Sequence, residues 1–355
     1  MGETVNLGIK YAKKVDQAFT MQSLIKGRLS NEYDFVGART VRVHTIKPVP
    51  LNDYDRAASA NRYGTPTEVG DQVEELYLSQ DKSFSGVIDK GNNLDQSINK
   101  AGKFMGVQMN EEVIPAYDRY CFDALAHRAG MIAGNSTALS ASNVIARISA
   151  GRKYLLDHRV PVKGRTLYVS TEVFNALVET DQFKNLDKIG SKAIAQGQVG
   201  ELFGSPVVEV PADLLPANVN FIWAHKRAAT APEKIWDNKV HIDPPGISGN
   251  LCEGRFYFDL FVLAAKANGV YVDVTTGSGK GEVLSAPSIA AATGVITPTG
   301  GATVKFTTDG SDPRYSITAQ VGTNAGVVAG TIVKAYQYKA GAFPSPVATV
   351  EITGG

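Results

Sequence analysis

Alternating and helically spaced apolar positions divide the chain into stretches of different type. Val41, Val43 and Thr45 alternate with Arg42 and His44, the pattern of a half-exposed strand. A second extended run, Val73 to Ser79, follows a polar excursion through Pro48, Pro50, Asn52, Asp53, Asp55, Arg56, Asn61 and Gly64. Together they predict a long hairpin whose distal half has few apolar residues of its own. Such an arm cannot bury enough surface to hold itself in place, so it is expected to lie on something else. Ile98, Ala101, Met105 and Met109 keep helical spacing, and Ile114, Tyr117, Cys121, Ala124 and Leu125 continue it beyond Pro115, which kinks a helix or starts a new one. A further helix fits Ser142 to Leu156, with Val144, Ile148 and Leu155 on one face. Arg165 to Val169 reads as a strand, Ser170 as the N-cap of the next helix and Glu172 as its first-turn acid. To Val274 the chain alternates short strands with loops: Val207 to Val210, Val219 to Trp223, Arg255 to Leu263 and Val270 to Val274.

Past residue 284 the pattern becomes all-β. Val304, Phe306 and Thr308 alternate, Asp309-Gly310-Ser311-Asp312-Pro313 supplies turn chemistry, Thr331 to Tyr338 forms another run, and Val347 to Thr353 closes the chain after Pro344-Ser345-Pro346. Short strands so punctuated predict a small sandwich behind an α+β core.

Charge marks the same boundary. Residues 285–355 carry seven charged side chains in 71 positions, about half the density of the rest. Between them Thr276-Gly277-Ser278-Gly279-Lys280-Gly281 has the composition of a flexible tether. The 355-residue chain has 36 basic against 35 acidic side chains, a net charge of +1, without the basic excess of a dedicated nucleic-acid binder. Its longest apolar run, Leu260 to Ala265, is too short to span a membrane, and no apolar core of signal-peptide length lies in the first thirty residues. Cys121 and Cys252 have no zinc-knuckle or disulfide-framework spacing.

Candidate chemistry is sparse. His44, His127, His158, His225 and His241 are scattered without ligand spacing, and His127 reads as a helix-surface residue. Cys121 falls on an apolar stripe, as a small buried hydrophobe would. Glu111 and Glu112 are adjacent on a helix and do not face each other. Asp309 and Asp312 could hold calcium but more often cap their own turn. No nucleophile elbow, dinucleotide fingerprint or phosphate loop is present. Lys10, Lys13 and Lys14 make a basic cluster that reads equally as a phosphate contact and as a solvated face. No catalytic residue, metal ligand or cofactor is expected.

Several ordered segments resemble the major capsid proteins of tailed bacteriophages, the Hong Kong 97-type fold, and among them the N4/P22-like coat branch. They are Phe35-Val36-Gly37-Ala38-Arg39-Thr40-Val41, Leu51-Asn52-Asp53-Tyr54-Asp55-Arg56, Gln80-Asp81-Lys82-Ser83-Phe84 and Glu111-Glu112-Val113-Ile114-Pro115, then Val160-Pro161, Gly164 to Ser170 and Gly204 to Glu209. The tail, with Phe306 to Pro313 and Lys334-Ala335-Tyr336, resembles the immunoglobulin-like module at the C-terminus of chitobiase-type glycosidases.

The resemblance implies an N-arm (1–35), an extended loop (36–89), a spine-helix region (90–135), an axial and peripheral domain (136–275), a linker (276–284) and an immunoglobulin-like module (285–355). It implies a structural subunit of hexamers and pentamers that close an icosahedral shell around double-stranded DNA. The intersubunit loop would use Val41, Val43, Asp53, Tyr54, Asp55 and Arg56, and Lys10, Lys13 and Lys14 would face the DNA. Expected partners are further copies of the chain, a separate scaffolding protein, the portal protein and a cement protein, with no membrane. The location implied is the virion capsid, assembled in the bacterial cytoplasm. The module would point outward, where Tyr315, Tyr336, Tyr338 and Phe343 either stack on a glycan or fill the sandwich core. Two other readings compete: an encapsulin-like compartment shell, and a carbohydrate-active enzyme with an accessory module.

Overall fold

The computed structural model describes residues 22–354, apart from 34, 36, 37, 47, 50, 58, 59, 67, 92–99, 181–197, 278–280 and 327. β1 (Thr40–Ile46) and β2 (Asp71–Tyr77) form an antiparallel ribbon with Thr40 opposite Tyr77 and Ile46 opposite Asp71. Val41 and Val43 are half-buried while Arg42 and His44 are exposed, the alternation of a one-sided strand. The chain continues through β3 (Gln80–Asp89) to α1 (Lys100–Gln108), a π-helical turn (Met109–Val113) and α2 (Ile114–His127). Pro115 lies in the first turn of α2. It has no N–H for the carbonyl four residues back, and its ring crowds that carbonyl. The ladder widens just ahead of it, so the helix is re-registered rather than broken.

The next elements are β4 (Met131–Asn135), α3 (Val144–Asp157), β5 (Arg165–Ser170), α4 (Thr171–Glu179), β6 (Gln198–Leu202), β7 (Ser205–Val210), β8 (Val219–His225), β9 (Ala229–Thr230), β10 (Glu233–Ile242), β11 (Gly249–Phe258), β12 (Phe261–Val262) and β13 (Val270–Thr275). Six of these strands make one sheet in the order β4-β13-β8-β5-β7-β6, parallel at β4/β13 and β5/β7 and antiparallel elsewhere. Alternate residues serve opposite faces. Tyr168, Ile222, Ala224, Val270, Val272 and Val274 pack with Tyr117, Cys121, Phe122 and Leu125 of α2. Leu167, Val169, Phe221, Trp223 and Tyr271 pack with α3 and α4. Both faces are covered, so β8 and β13 are buried throughout. α3 can lie this close because residue 151 is glycine: a Cβ there would stand 2.8 Å from the Trp223 ring and 2.9 Å from Tyr271. Ser170 caps α4, its Oγ accepting from the Val173 N–H at 3.4 Å.

A second sheet, β10-β11-β3, is antiparallel throughout. The Phe84 ring covers Gly254, where a Cβ would come within 2.4 Å of it, and Phe104 of α1 meets Phe84 edge-on at 6.2 Å. Tyr117 of α2 touches Trp236 and Phe258 with centroids 5.5 and 5.0 Å apart, so α2 joins this sheet to the large one.

The remaining strands are β14 (Ser288–Ile289), β15 (Ile296–Thr297), β16 (Thr303–Thr307), β17 (Gln320–Val321), β18 (Ile332–Tyr338) and β19 (Ala348–Glu351). They form two small sheets, β14-β15 and β17-β16-β18-β19, around Ile296, Val304, Phe306, Val333, Ala335 and Ile352. Gln337 is buried with them and fully engaged: its amide donates to the Ser285 carbonyl at 2.6 Å, and its Oε1 accepts from the Thr299 N–H at 2.9 Å. The free tether suggested by composition is not what flanks residues 278–280. Thr276 donates to the Asn135 carbonyl at 2.8 Å, Phe343 donates to the Glu282 carbonyl at 2.8 Å, and Leu284 is buried. Glycine and serine content describes intrinsic stiffness and does not register such partners.

Candidate assembly surfaces

The distal half of the β1–β2 hairpin places large apolar side chains in solvent. Leu51 is 100% exposed, Tyr63 84% and Ile46 72%, with Val49, Tyr54 and Val69 also exposed. The tip is nevertheless shaped. Asp55 donates its N–H to the Arg62 carbonyl at 3.1 Å, its carboxylate accepts from the Ala57 N–H at 2.8 Å, and Tyr54 meets Tyr63 edge-on at 5.0 Å. Asp53, Tyr54, Asp55 and Arg56 are therefore brought together at the exposed tip, whereas Val41 and Val43 lie at the base and pack on the chain's own Phe35, Leu76, Leu78, Tyr257, Phe261 and Leu263. An ordered tip with unburied apolar side chains is suited to a protein surface rather than to water.

The base of the hairpin is fixed by a buried carboxylate that no spacing pattern marks. Asp259 accepts from the Ser79 N–H at 2.8 Å, the Ser79 hydroxyl at 2.7 Å and the Tyr120 hydroxyl, and pairs with Arg128 at 3.4 Å. Asp118 does the same for the segment that precedes the hairpin, accepting from Ser23 Oγ at 2.6 Å and the Leu24 N–H at 2.8 Å. Burial holds the Asp118 carboxyl above the usual carboxylate range and the Cys121 thiol well above the ordinary thiol range.

His44, His158, His225 and His241 lie apart from one another. His44 contacts Asp71 at 2.9 Å, His158 the Tyr154 carbonyl at 2.9 Å, His225 the Lys163 carbonyl at 3.1 Å and His241 Glu253 at 3.3 Å, each in a different place. Both cysteines are free and buried. Asp309 accepts from the Ser311 N–H at 2.9 Å and from Thr318 Oγ1 at 2.7 Å, and Asp312 pairs with Arg314 at 2.7 Å. Among the described residues no group of three or more His, Cys, Asp or Glu could hold a metal ion, and no helix is long and apolar enough to cross a membrane. Lys10, Lys13 and Lys14 lie outside the described residues.

The C-terminal unit is seated on the core along a seam that ends at His127. Far from being a simple helix-surface residue, His127 carries the Phe343 ring stacked on its imidazole, and Phe343 completes the main hydrophobic core rather than that of the small sheets. The Asp123 carboxylate and carbonyl beside it raise the His127 pKa. Glu74 of β2 is buried at the same seam, accepts from the Ala264 N–H at 2.8 Å, and bridges to Ser316. Burial raises its pKa, and Asp312 adds to the effect. Beside the seam a cleft of about 770 Å³ is lined by Glu75, Tyr77, His127, Lys305, Tyr336 and Tyr338. Tyr336 is half-buried and stacks on exposed Tyr338 at 5.8 Å, so neither belongs to the small core.

No family model and no curated protein matches the chain. Solved structures do. A chain of Mycobacterium phage Che8 superposes with a TM-score of 0.62 at 17% identity, over 77% of this chain and 98% of that one. The mature capsid of bacteriophage PhiM1 gives 0.58 at 14%, over 77% and 93%. The capsid of cyanophage P-SCSP1u gives 0.60 at 12%, over 77% and 94%. The chain has the phage-capsid fold. Nearly the whole of each of these chains is matched, while this chain extends beyond the shared part.

Proposed function

We propose that the chain is a structural subunit of a phage capsid. Copies assemble as hexamers and pentamers into an icosahedral shell around double-stranded DNA in the virion, with assembly in the bacterial cytoplasm. The observation that carries this reading is the ordered loop tip with Leu51, Tyr54 and Tyr63 in solvent. The surface that would bury them belongs to a neighbouring copy, and a closed ring gives every copy the same contact. The division into N-arm, extended loop, spine, axial layer and C-terminal immunoglobulin-like module (285–355) is part of the same reading, as are a separate scaffolding protein, the portal protein and a cement protein as partners. The role is structural and not catalytic. Lys10, Lys13 and Lys14 face the packaged DNA and bind it without regard to sequence, so this contact weakens steeply with salt. The module points outward, where Tyr336 and Tyr338 are available to a glycan.

Deleting residues 48–70 tests the loop. The shortened chain should remain folded, with the melting behaviour of its core intact, and sediment as a monomer under conditions in which the full chain forms large assemblies. Normal assembly by the shortened chain would rule out the intersubunit role.

A further inference from the structure

The turn that follows the Asp309–Pro313 segment touches two parts of the capsid fold at once. The Arg314 guanidinium donates from Nη1 to the carbonyls of Ala129 at 2.8 Å and Gly130 at 3.2 Å. The Tyr315 hydroxyl donates to the carbonyl of Arg128. These are the carbonyls just past the end of the spine helix, where unpaired acceptors and the negative end of the helix dipole favour a cationic donor. The next residue, Ser316, bridges antiparallel to Glu74, a buried position of β2 on the return strand of the extended loop. Arg314 is itself aimed by Asp312, which pairs with it at 2.7 Å. Three consecutive residues therefore cap the spine from outside and pin the loop's base to it.

We propose that residues 285–355 form an intrachain brace that sets the angle between the extended loop and the spine helix, with Arg314 as its principal positioning residue. On the core side the loop's base is held by Asp259 at Ser79 and by the Ala264 N–H at the Glu74 side chain; the brace adds a main-chain bridge to Glu74 from the C-terminal unit. A strand held from one side only can tilt about those contacts, and one held from two sides has a direction. On this view the C-terminal unit, even where displayed outward, is a working part of the subunit, so a chain stopped near Gly281 loses loop alignment even where its core remains folded.

Hydrogen exchange on the unassembled full chain tests this, and does so whether or not the chain builds a shell. In Arg314→Ala, amides at 71–78 and 124–131 should exchange about tenfold faster, while those of β5 at 165–170 keep wild-type protection. Arg314→Lys, which keeps the charge but loses the fork, should fall between the two. Because an unfolded C-terminal unit cannot brace anything, 71–78 must lose protection even if Arg314→Ala unfolds that unit. Unchanged exchange at 71–78 would overturn the proposal. So would equal loss of protection at 165–170 in both variants, which would make the unit one more part of a single core.

Discussion

The ring of Phe343 lies face to face on the imidazole of His127, with centroids 4.7 Å apart and planes 14° from parallel. One residue belongs to the last turn of α2, the other to the loop between β18 and β19, 216 positions later. The stack closes the main core on the side where the C-terminal unit sits.

Truncating that ring should be costly. Phe343 is 6% exposed and is packed among residues of the large sheet and α2. Phe343→Ala removes a buried aromatic from a site the surrounding backbone cannot refill, a loss of about 3–5 kcal/mol. Differential scanning calorimetry should show the main transition lowered by several degrees. A change within error would mean that the seam contributes nothing to the core.

The seam should also depend on pH. Glu74 has a raised pKa, so between its unfolded and folded values the native chain binds more protons than the unfolded one, and stability falls as pH rises through that window. His127 is raised by Asp123, so its contribution is complete below its unfolded pKa and is lost as pH climbs through the folded value. Both groups act in one direction. Melting temperature should decline from weakly acidic to weakly alkaline pH, and a Glu74→Gln, His127→Gln chain should show a flatter profile. Parallel profiles for the two chains would dismiss this account.

Two ion pairs on the same helix should behave differently. Arg147 pairs with Asp273 in the interior, where Asp273 also accepts from Asn135 at 2.6 Å and Asn220 at 2.7 Å. Arg147→Ala strands a buried carboxylate and should cost about 3–5 kcal/mol. Lys153 and Asp157 form an exposed pair one turn apart, and Lys153→Ala should cost no more than about 0.5 kcal/mol. Chemical denaturation of the two variants measures the contrast, and similar costs would show that the buried network is not what holds α3 to β13.

Much of the core was legible because burial leaves a pattern. β13 is apolar enough to stand out, Ser170 sits where a cap belongs, and Pro115 marks the irregular point between α1 and α2. β10 was not legible. Its sequence, Glu-Lys-Ile-Trp-Asp-Asn-Lys-Val-His-Ile, has four charged residues in ten, and it is a strand because β11 pairs with it, Asp237 opposite Arg255 and Lys239 opposite Glu253. The hairpin tip reads in the sequence as a polar excursion, and the exposed Leu51 and Tyr63 within it carry no periodic pattern that marks them. The anchors of the hairpin's base were not legible either: Asp259 acts through backbone and hydroxyl donors that carry no sequence signature. The seam was hidden for the same reason, since the partners of Arg314 and Tyr315 are main-chain carbonyls.

The proposed role depends on this chain closing on copies of itself through the β1–β2 hairpin. Electron microscopy of the purified full-length protein tests it most directly. Shells, rings or sheets of repeating subunits are expected, with density for residues 48–70 on the adjacent copy. Dispersed particles of single-chain size at concentrations where capsid subunits associate, or an assembly whose loop tips stand free of the neighbouring copy, would contradict it.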